Sequence, residues 1–216
     1  MRKHNKKWML LLLATAAAVC GCLTACKSSE TSAHEGAPTA TLADYERALA
    51  MTNGQPVQQG PVKTRITCEI FGQKIEQAYE IINKEDGFIA KEPSAVSDTL
   101  YHSADFENEE AFLLRFCYLD PVQSSLLENP DMQGYKLSAA LPAEKMRDKL
   151  LQVSNLLTGY AGQAADKVLL TDCAYTAVIA PEGGLCSYEY TFDLEIKDTT
   201  FSFSTTLTLC VEIPES

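Results

Sequence analysis

The sequence predicts an α+β domain in which helices cover the apolar face of an antiparallel sheet. Residues 41–52 and 142–158 carry apolar side chains at helical spacing. Residues 66–81 show a hairpin pattern, and the last third of the chain alternates apolar and polar residues over three long segments joined by turns. Because such a sheet has one polar face and one apolar face, we expect the helices to lie on the apolar one.

The first helix is predicted over residues 41–52. Thr41 suits the N-cap, and Asp44 stands where the acid of a capping box is found. Asn53-Gly54 is then expected to end the helix. The apolar residues predicted to share one face are Leu42, Tyr45 and Leu49.

A hairpin is predicted next, because apolar and polar residues alternate on both sides of Gly72-Gln73. The apolar positions are Ile66, Cys68 and Ile70 before the turn, and Ile75, Tyr79 and Ile81 after it. A turn centred on Gly72-Gln73 predicts that Ile66 faces Tyr79 and that Ile70 faces Ile75.

Residues 112–118 are apolar almost throughout, and two interpretations are open. The segment is either a buried strand, which we favour, or the end of a helix led by Glu107, Glu109 and Glu110.

Residues 135–141 predict a short strand, and Pro142 suits the first turn of the helix that follows. Gly159 lies where a C-cap glycine is expected. The apolar residues at helical spacing are Met146, Leu150, Val153 and Leu157.

The C-terminal third predicts a meander of three antiparallel strands, with turns at residues 181–184 and at Asp198-Thr199. Its polar face is assigned to Ser202, Ser204, Thr206 and Thr208. Its apolar face is assigned to Leu169, Cys173, Tyr175, Ala177, Ile179, Cys186, Tyr188, Tyr190, Phe192, Leu194, Ile196, Phe201, Phe203, Leu207, Leu209, Val211 and Ile213.

The cysteines of this domain are expected to be mostly free and buried. They are five in number, so at least one has no disulfide partner: Cys68, Cys117, Cys173, Cys186 and Cys210. The predicted register places Cys173 opposite Phe192 and Cys186 opposite Ile179, so the two thiols stand roughly 20 Å apart, too far for a disulfide. Cys186 is expected on the apolar face and Cys210 on the polar face, which also excludes that pair.

Residues 1–25 have the zones of an export signal. Arg2, Lys3, Lys6 and Lys7 precede an apolar run that thins into small residues. The segment ends in Leu23-Thr24-Ala25-Cys26, which resembles the lipobox of bacterial lipoproteins. The resemblance implies that Cys26 receives a diacylglycerol and becomes the N-terminus after cleavage. An uncleaved transmembrane helix over residues 8–25 is the alternative.

Residues 26–40 are then a lipidated cysteine with a flexible tether, and residues 41–216 form a single α+β domain. Two acyl chains hold a protein stably in a membrane, whereas one binds marginally. We therefore expect an extracytoplasmic protein that is anchored to the cell membrane by lipid.

The charge of the mature chain excludes some partners. Removal of residues 1–25 takes four of the 18 basic residues and none of the 29 acidic ones, which leaves a net charge of −15. Such a surface is repelled by phosphate backbones and anionic headgroups, so we expect no nucleic-acid partner.

No catalytic motif is recognised in the sequence. It contains no phosphate loop, no Gly-x-Ser-x-Gly elbow and no His-Glu-x-x-His helix, and the mature chain keeps only His34 and His102. We expect no cofactor and no metal site, since no Cys-x-x-Cys occurs after Cys26. A carboxylate hydrolase stays open, but Glu189, Asp193 and Glu195 alternate on a polar face as solvated residues do.

The order of elements resembles the LolA/LppX-like lipoprotein-carrier superfamily. The residues concerned are the helix at 41–52, the hairpin, the Tyr135-Lys136-Leu137-Ser138 strand that runs into Pro142, and a final strand ending at Pro214. The resemblance implies a curved half-barrel sheet with an apolar cavity under helices. The residues that would line the cavity are Tyr188, Tyr190, Phe192, Phe203 and Leu207, and the alternative is that they form ordinary core.

Three functions follow in order of preference. The first is a non-catalytic, membrane-anchored lipoprotein that binds a lipid or another apolar ligand. The second is an interaction or scaffold lipoprotein of the envelope, with a filled core and a protein partner. The third is a carboxylate-based hydrolase.

Overall fold

A computed structural model of the chain describes residues 39–54, 60–70, 73–84, 87–92, 100–116, 118–158, 167–181, 183–197 and 202–214. The predicted signal segment, Cys26 and most of the tether lie outside these residues, as do Cys117, Gly159, the turn at Asp198-Thr199 and Phe201. The residues from Pro38 to Ser216 belong to one compact unit.

The described strands form one open antiparallel sheet in the order β4-β3-β2-β1-β9-β8-β7-β6-β5. Strands β1 to β4 are Val62–Ile70, Gln73–Lys84, Gly87–Lys91 and Leu100–His102, and β5 and β6 are Glu128–Gln133 and Lys136–Ala140. Strands β7, β8 and β9 are Val168–Ile179, Leu185–Lys197 and Ser202–Glu212. The antiparallel sheet of the sequence prediction is confirmed, and an open sheet of this size is consistent with a half-barrel.

Three α-helices accompany the sheet: α1 (Leu42–Gly54), α2 (Glu109–Arg115) and α3 (Ala143–Thr158). Contacts link α1 to β7 and β8, α3 to β7, and α2 to α3. Helical cover is therefore more modest than the sequence prediction, and a further segment that contains a short 3-10 helix at Ser124–Leu126 completes it.

The N-terminus of α1 is the predicted capping box. The Thr41 backbone N–H donates to Asp44 Oδ2 at 2.8 Å, and the Asp44 N–H donates to Thr41 Oγ1 at 3.3 Å. The Thr41 hydroxyl also donates to Asp44 Oδ2 at 2.7 Å, and the two hydrogen bonds that the carboxylate accepts from the Thr41 N–H and hydroxyl lower its pKa. Tyr45, Ala48 and Leu49 form the buried face, whereas Leu42 is exposed, contrary to the prediction. Leu42 is the first residue of the helix and precedes the turns whose side chains pack on the sheet.

The N-terminal hairpin forms as predicted, but its predicted register is wrong by two residues. Ile70 faces Gln73, Cys68 faces Ile75 and Ile66 faces Gln77. The pairing of Ile70 with Gln73 places the centre of the hairpin one residue earlier than the predicted turn, at residues 71–72, which lie outside the described residues. A shift of two residues keeps each side chain on its face, so Ile66 and Tyr79 remain buried.

The strand favoured for residues 112–118 is wrong, because residues 112–115 belong to helix α2 and Phe116 to the turn after it. The Asn108 side chain accepts a hydrogen bond from the Ala111 N–H at 2.8 Å, which caps the helix. Phe112 and Phe116, four residues apart, then bury both rings beside Tyr79 and Tyr101.

The prediction for residues 135–158 is confirmed in its elements. Lys136–Ala140 is the short strand, and Ala143–Thr158 is the helix after Pro142, whose carbonyl accepts from the Lys145 N–H. Met146 and Leu150 are buried, and the side chains of Val153 and Leu157 are not among those described.

The C-terminal meander is confirmed, with two irregularities. A β-bulge near Thr171 shifts the alternation, so Leu170 is buried and Leu169 is exposed, contrary to the prediction. A second shift at Ile179 pairs that residue with Leu185 rather than Cys186, which is only half-buried. Gly183 has a φ of 108° in the turn between β7 and β8, a conformation that glycine adopts readily.

Two thiols meet the prediction of free, buried cysteines: Cys68 and Cys173. Cys173 faces Phe192, as the predicted register requires. Cys186 and Cys210 are half-buried. In the described part of the chain, no helix has the length and apolar character needed to cross a membrane.

Candidate functional site

The residues predicted to line a ligand cavity lie on the inner face of the sheet, the face on which the core packs. Phe192 of β8 faces Leu207 of β9, and Tyr188 and Tyr190 lie further along the same side of β8. These four side chains are buried to 2% exposure or less. Phe203 lies at the other end of β9 beside Ile196 and is half-buried. The structure therefore brings four of the five residues together and sets Phe203 apart.

A cluster of tyrosines surrounds these residues. The rings of Tyr175 and Tyr190 meet edge to face at 5.1 Å, and the rings of Tyr190 and Phe192 stack at 5.9 Å. From α1, Tyr45 places its hydroxyl 3.1 Å from the hydroxyl of Tyr175. Sequence reasoning predicted Tyr45 and Tyr175 as core but did not identify their hydrogen bond.

The segment at residues 118–127, here called the covering segment, closes this cluster. The Tyr45 hydroxyl donates to the Val122 carbonyl at 2.5 Å, and the Tyr190 hydroxyl donates to the Asp120 carbonyl. Leu119 and Val122 are buried. Outside the cluster, Ser124 Oγ donates to Glu46 Oε1 of α1 at 2.7 Å. No sequence pattern predicted this cover, because the segment has neither helical nor strand periodicity.

Burial determines the protonation of the cluster. Desolvation raises the pKa of Tyr45 to about 12, and it raises the pKa values of Tyr175, Tyr188 and Tyr190 still further. The neighbouring hydroxyls add to the effect at Tyr175 and Tyr188. These hydroxyls stay neutral at physiological pH, so they are available as hydrogen-bond donors and not as bases or nucleophiles.

Among the residues that the structure describes, two buried hydroxyls on the inner face lack hydrogen-bond partners: Thr64 Oγ1 and Tyr188 Oη. Tyr118 and Tyr188 affect each other's pKa, but their hydroxyls do not reach hydrogen-bond geometry. Thr64 and Tyr188 share a row across the sheet, since both face Val211 from either side. An unsatisfied buried hydroxyl costs about 1–3 kcal/mol. A polar group that formed a hydrogen bond with either hydroxyl of this row would therefore stabilise the fold.

The inner face is filled at the predicted residues. A cavity able to hold an acyl chain would leave accessible surface on the side chains that line it, yet Phe192 has 0% exposure and Leu207 has 1%. In this conformation the four buried candidates are core residues.

An open groove of about 380 Å³ lies on the opposite, outer face, between β5 and β7. Its floor is formed by the paired small residues Ala140 and Ala174 and by Ser138 and Thr176. Glu128, Asp131 and Asp172 line it as well. Sequence reasoning missed this groove, which depends on a register shift between Glu128 and Asp131 in the edge strand. The available signal was the small residues on the polar face of β6 and β7.

The carboxylates considered for a hydrolase lie on the outer face and are engaged there. Thr206 Oγ1 donates to Asp193 Oδ1 at 2.7 Å, and Lys197 Nζ lies 2.9 Å from Glu195 Oε2. Partial burial raises the pKa of the Glu189 carboxyl, and Lys136 opposes that shift. Among the described residues, no group of three or more His, Cys, Asp or Glu side chains could hold a metal ion.

Comparison with known proteins finds solved structures of low similarity. A LolA superfamily protein of Nitrosomonas europaea is 9% identical, with 83% of this chain and 96% of that chain covered and a TM-score of 0.23. An inactive mutant of the CurJ dehydratase is 11% identical, with 82% and 83% covered and a TM-score of 0.12. At these scores neither likeness bears on the fold or activity of this chain. No protein-family model and no curated protein matches it.

Proposed function

We propose that this chain is a lipid-anchored, extracytoplasmic lipoprotein whose domain binds a partner protein through its surface and performs no catalysis. The observation that carries the proposal is the filled inner face. Phe192, Tyr190, Tyr188 and Leu207 are buried to 2% exposure or less under α1 and the covering segment. A domain with no room for a ligand at these residues has its outer surface left for recognition.

The anchor part of the proposal is supported by Leu23-Thr24-Ala25-Cys26 at the end of the export signal. Its test is metabolic labelling of the host with a labelled fatty acid. The wild-type protein is expected to carry label and Cys26→Ala to carry none. Equal labelling of both proteins would refute lipidation at Cys26.

Binding of a lipid in the inner face is the second candidate. It is favoured by the unpartnered hydroxyls of Tyr188 and Thr64, which a polar group of a ligand could satisfy. In that case the covering segment would have to move, since its Leu119 and Val122 are buried and its Asp120 carbonyl is bonded to Tyr190 of β8.

Native mass spectrometry of the mature protein, extracted gently from its host membrane, distinguishes the two candidates. A filled domain is expected to show only the mass of the chain and its anchor. A further discrete mass that solvent extraction identifies as a lipid would establish the carrier function instead. The Cys26→Ala protein is the matched control, because it lacks the anchor lipid.

A further inference from the structure

The outer-face groove combines an apolar floor with acidic sides. Its floor rests on the pairs Ala140 with Ala174 and Ser138 with Thr176, whose short side chains leave space above the sheet. Glu128 stands across from Ala140, and Asp131 stands across from Ser138, so both carboxylates rise at the edge-strand side. Asp172, two residues before Ala174, stands at the far end. The groove thus runs roughly 13 Å along β7.

The charge around this groove is one-sided. No basic side chain is found among the described residues that line it, and the one base of β6, Lys136, acts on Glu189 in the neighbouring part of the face. In the part of the chain that the structure describes, none of its three carboxylates forms an ion pair. Asp172 and Asp131 accept only hydrogen bonds, from the Cys173 N–H at 2.8 Å and from Gln133 Nε2 at 3.1 Å.

We infer that this groove receives a lysine or arginine side chain of the partner protein, a step that rests on the proposed function. Both side chains have an apolar stem and a cationic head, which match the small-residue floor and the carboxylates. The volume is near the lower end of the range for ligand sites, which suits one long side chain better than a whole small molecule.

A partner protein is the occupant favoured over a free amine. A free amine that enters so open a groove must offset its whole loss of translational and rotational freedom with few contacts. A side chain that is presented by a protein surface shares this cost with the contacts around it. The outer face offers such contacts, since Thr67, Thr208 and Thr191 continue in one row from Ala174.

The test measures binding of the mature full chain to two blocked nine-residue peptides. One carries three lysines, and the other carries norleucine at the same positions. We expect the lysine peptide alone to bind. Ala174→Leu, which fills the groove without changing charge, is expected to weaken binding about tenfold, and Glu128→Gln/Asp131→Asn/Asp172→Asn at least as much.

The matched control is Glu69→Gln/Glu144→Gln/Asp148→Asn, which removes three exposed carboxylates outside the groove. It is expected to bind within twofold of the parent. Equal weakening by the control would mean that only diffuse charge attracts the peptide, and undiminished binding to Ala174→Leu would also overturn the inference. If Ala174→Leu does not give the circular dichroism spectrum of the parent, Ala140→Leu replaces it.

The outcomes are independent of the anchor and core experiments. A parent protein that binds neither peptide would overturn the groove inference while leaving lipidation and the filled core in place. Equal binding of the norleucine peptide would overturn it as well, because the cation would then be dispensable. A lipid found in the inner face would instead refute the proposed function whatever the peptides do.

Discussion

The hydroxyl of Tyr45 on helix α1 donates a hydrogen bond to the carbonyl oxygen of Val122 in the covering segment. This bond joins residues that are 77 positions apart in the chain, and both side chains are buried. The helix and the covering segment therefore hold each other over the same part of the sheet.

Replacement of Tyr45 by Phe should lower the free energy of unfolding by about 1–3 kcal/mol, because the Val122 carbonyl would stay buried without its donor. Urea unfolding followed by circular dichroism measures the change. Tyr135→Phe is the control, since Tyr135 is only partly buried, and it should cost less than about 0.5 kcal/mol. Equal losses in the two variants would show that the Tyr45 bond stabilises nothing.

Stability should fall steeply at alkaline pH. The pKa of Tyr45 is raised from 10.0 to about 12 by burial, so the fold favours the neutral hydroxyl. Its contribution is fully present below pH 10 and is lost as pH rises towards 12. The urea midpoint should therefore decrease over this range, and tyrosinate absorbance should rise together with unfolding. Complete tyrosine titration near pH 10 in a protein that remains folded would contradict this.

Truncation of Phe192 distinguishes a filled core from a cavity. Phe192→Ala should lower the free energy of unfolding by about 3–5 kcal/mol, because the ring is fully buried among packed neighbours. Phe203→Ala, at the half-buried end of the same face, should cost less than half as much. The measurement is again urea unfolding. A loss below about 1 kcal/mol at Phe192 would indicate that its ring borders empty space.

The thiol of Cys173 should resist alkylation in the folded protein. Its pKa is raised to about 12, mainly by burial and further by Asp172 and Asp193. The thiolate is then about one part in ten thousand at pH 8, and the side chain is also inaccessible. Mass spectrometry after iodoacetamide treatment should find Cys173 modified only when urea is present. Modification in native buffer at the rate of a free thiol would contradict the burial.

Local signals in the sequence were sufficient where one interaction decided the outcome. The capping box at Thr41 and Asp44 predicts the start of α1 correctly, because both partners lie within one turn. The alternation in β8 and β9 predicts the inner face, because every second side chain of a long strand points to the same side of the sheet. The predicted hairpin register was wrong by two residues. Alternation cannot reveal this error, because a shift of two residues leaves each side chain on the same face of the sheet.

The remaining errors have two causes. Some interactions join residues that are distant in the sequence, and some local irregularities leave no recognisable pattern of apolar and polar residues. Leu169 and Leu170 are both apolar, so the sequence shows no trace of the bulge that turns Leu169 outward. The apolar run at 112–118 fits the residue spacing of a helix and that of a strand equally well. The hydrogen bond at the Asn108 cap supports the helix. The cover over Tyr190 and the groove beside β5 each depend on segments brought together only in the folded chain.

If the proposed lipid anchor holds copies of the protein in one membrane, the two edges of the sheet have a consequence for them. Strand β4 has three residues, and β5 carries Pro130, a register shift and Asn129 at a φ of 49°. Short or irregular edge strands resist the addition of a further strand. Proteins anchored in one plane collide far more often than the same number free in solution. With neither described edge suited to pair with a neighbour, the domain can stay at high surface density without growing into fibrils.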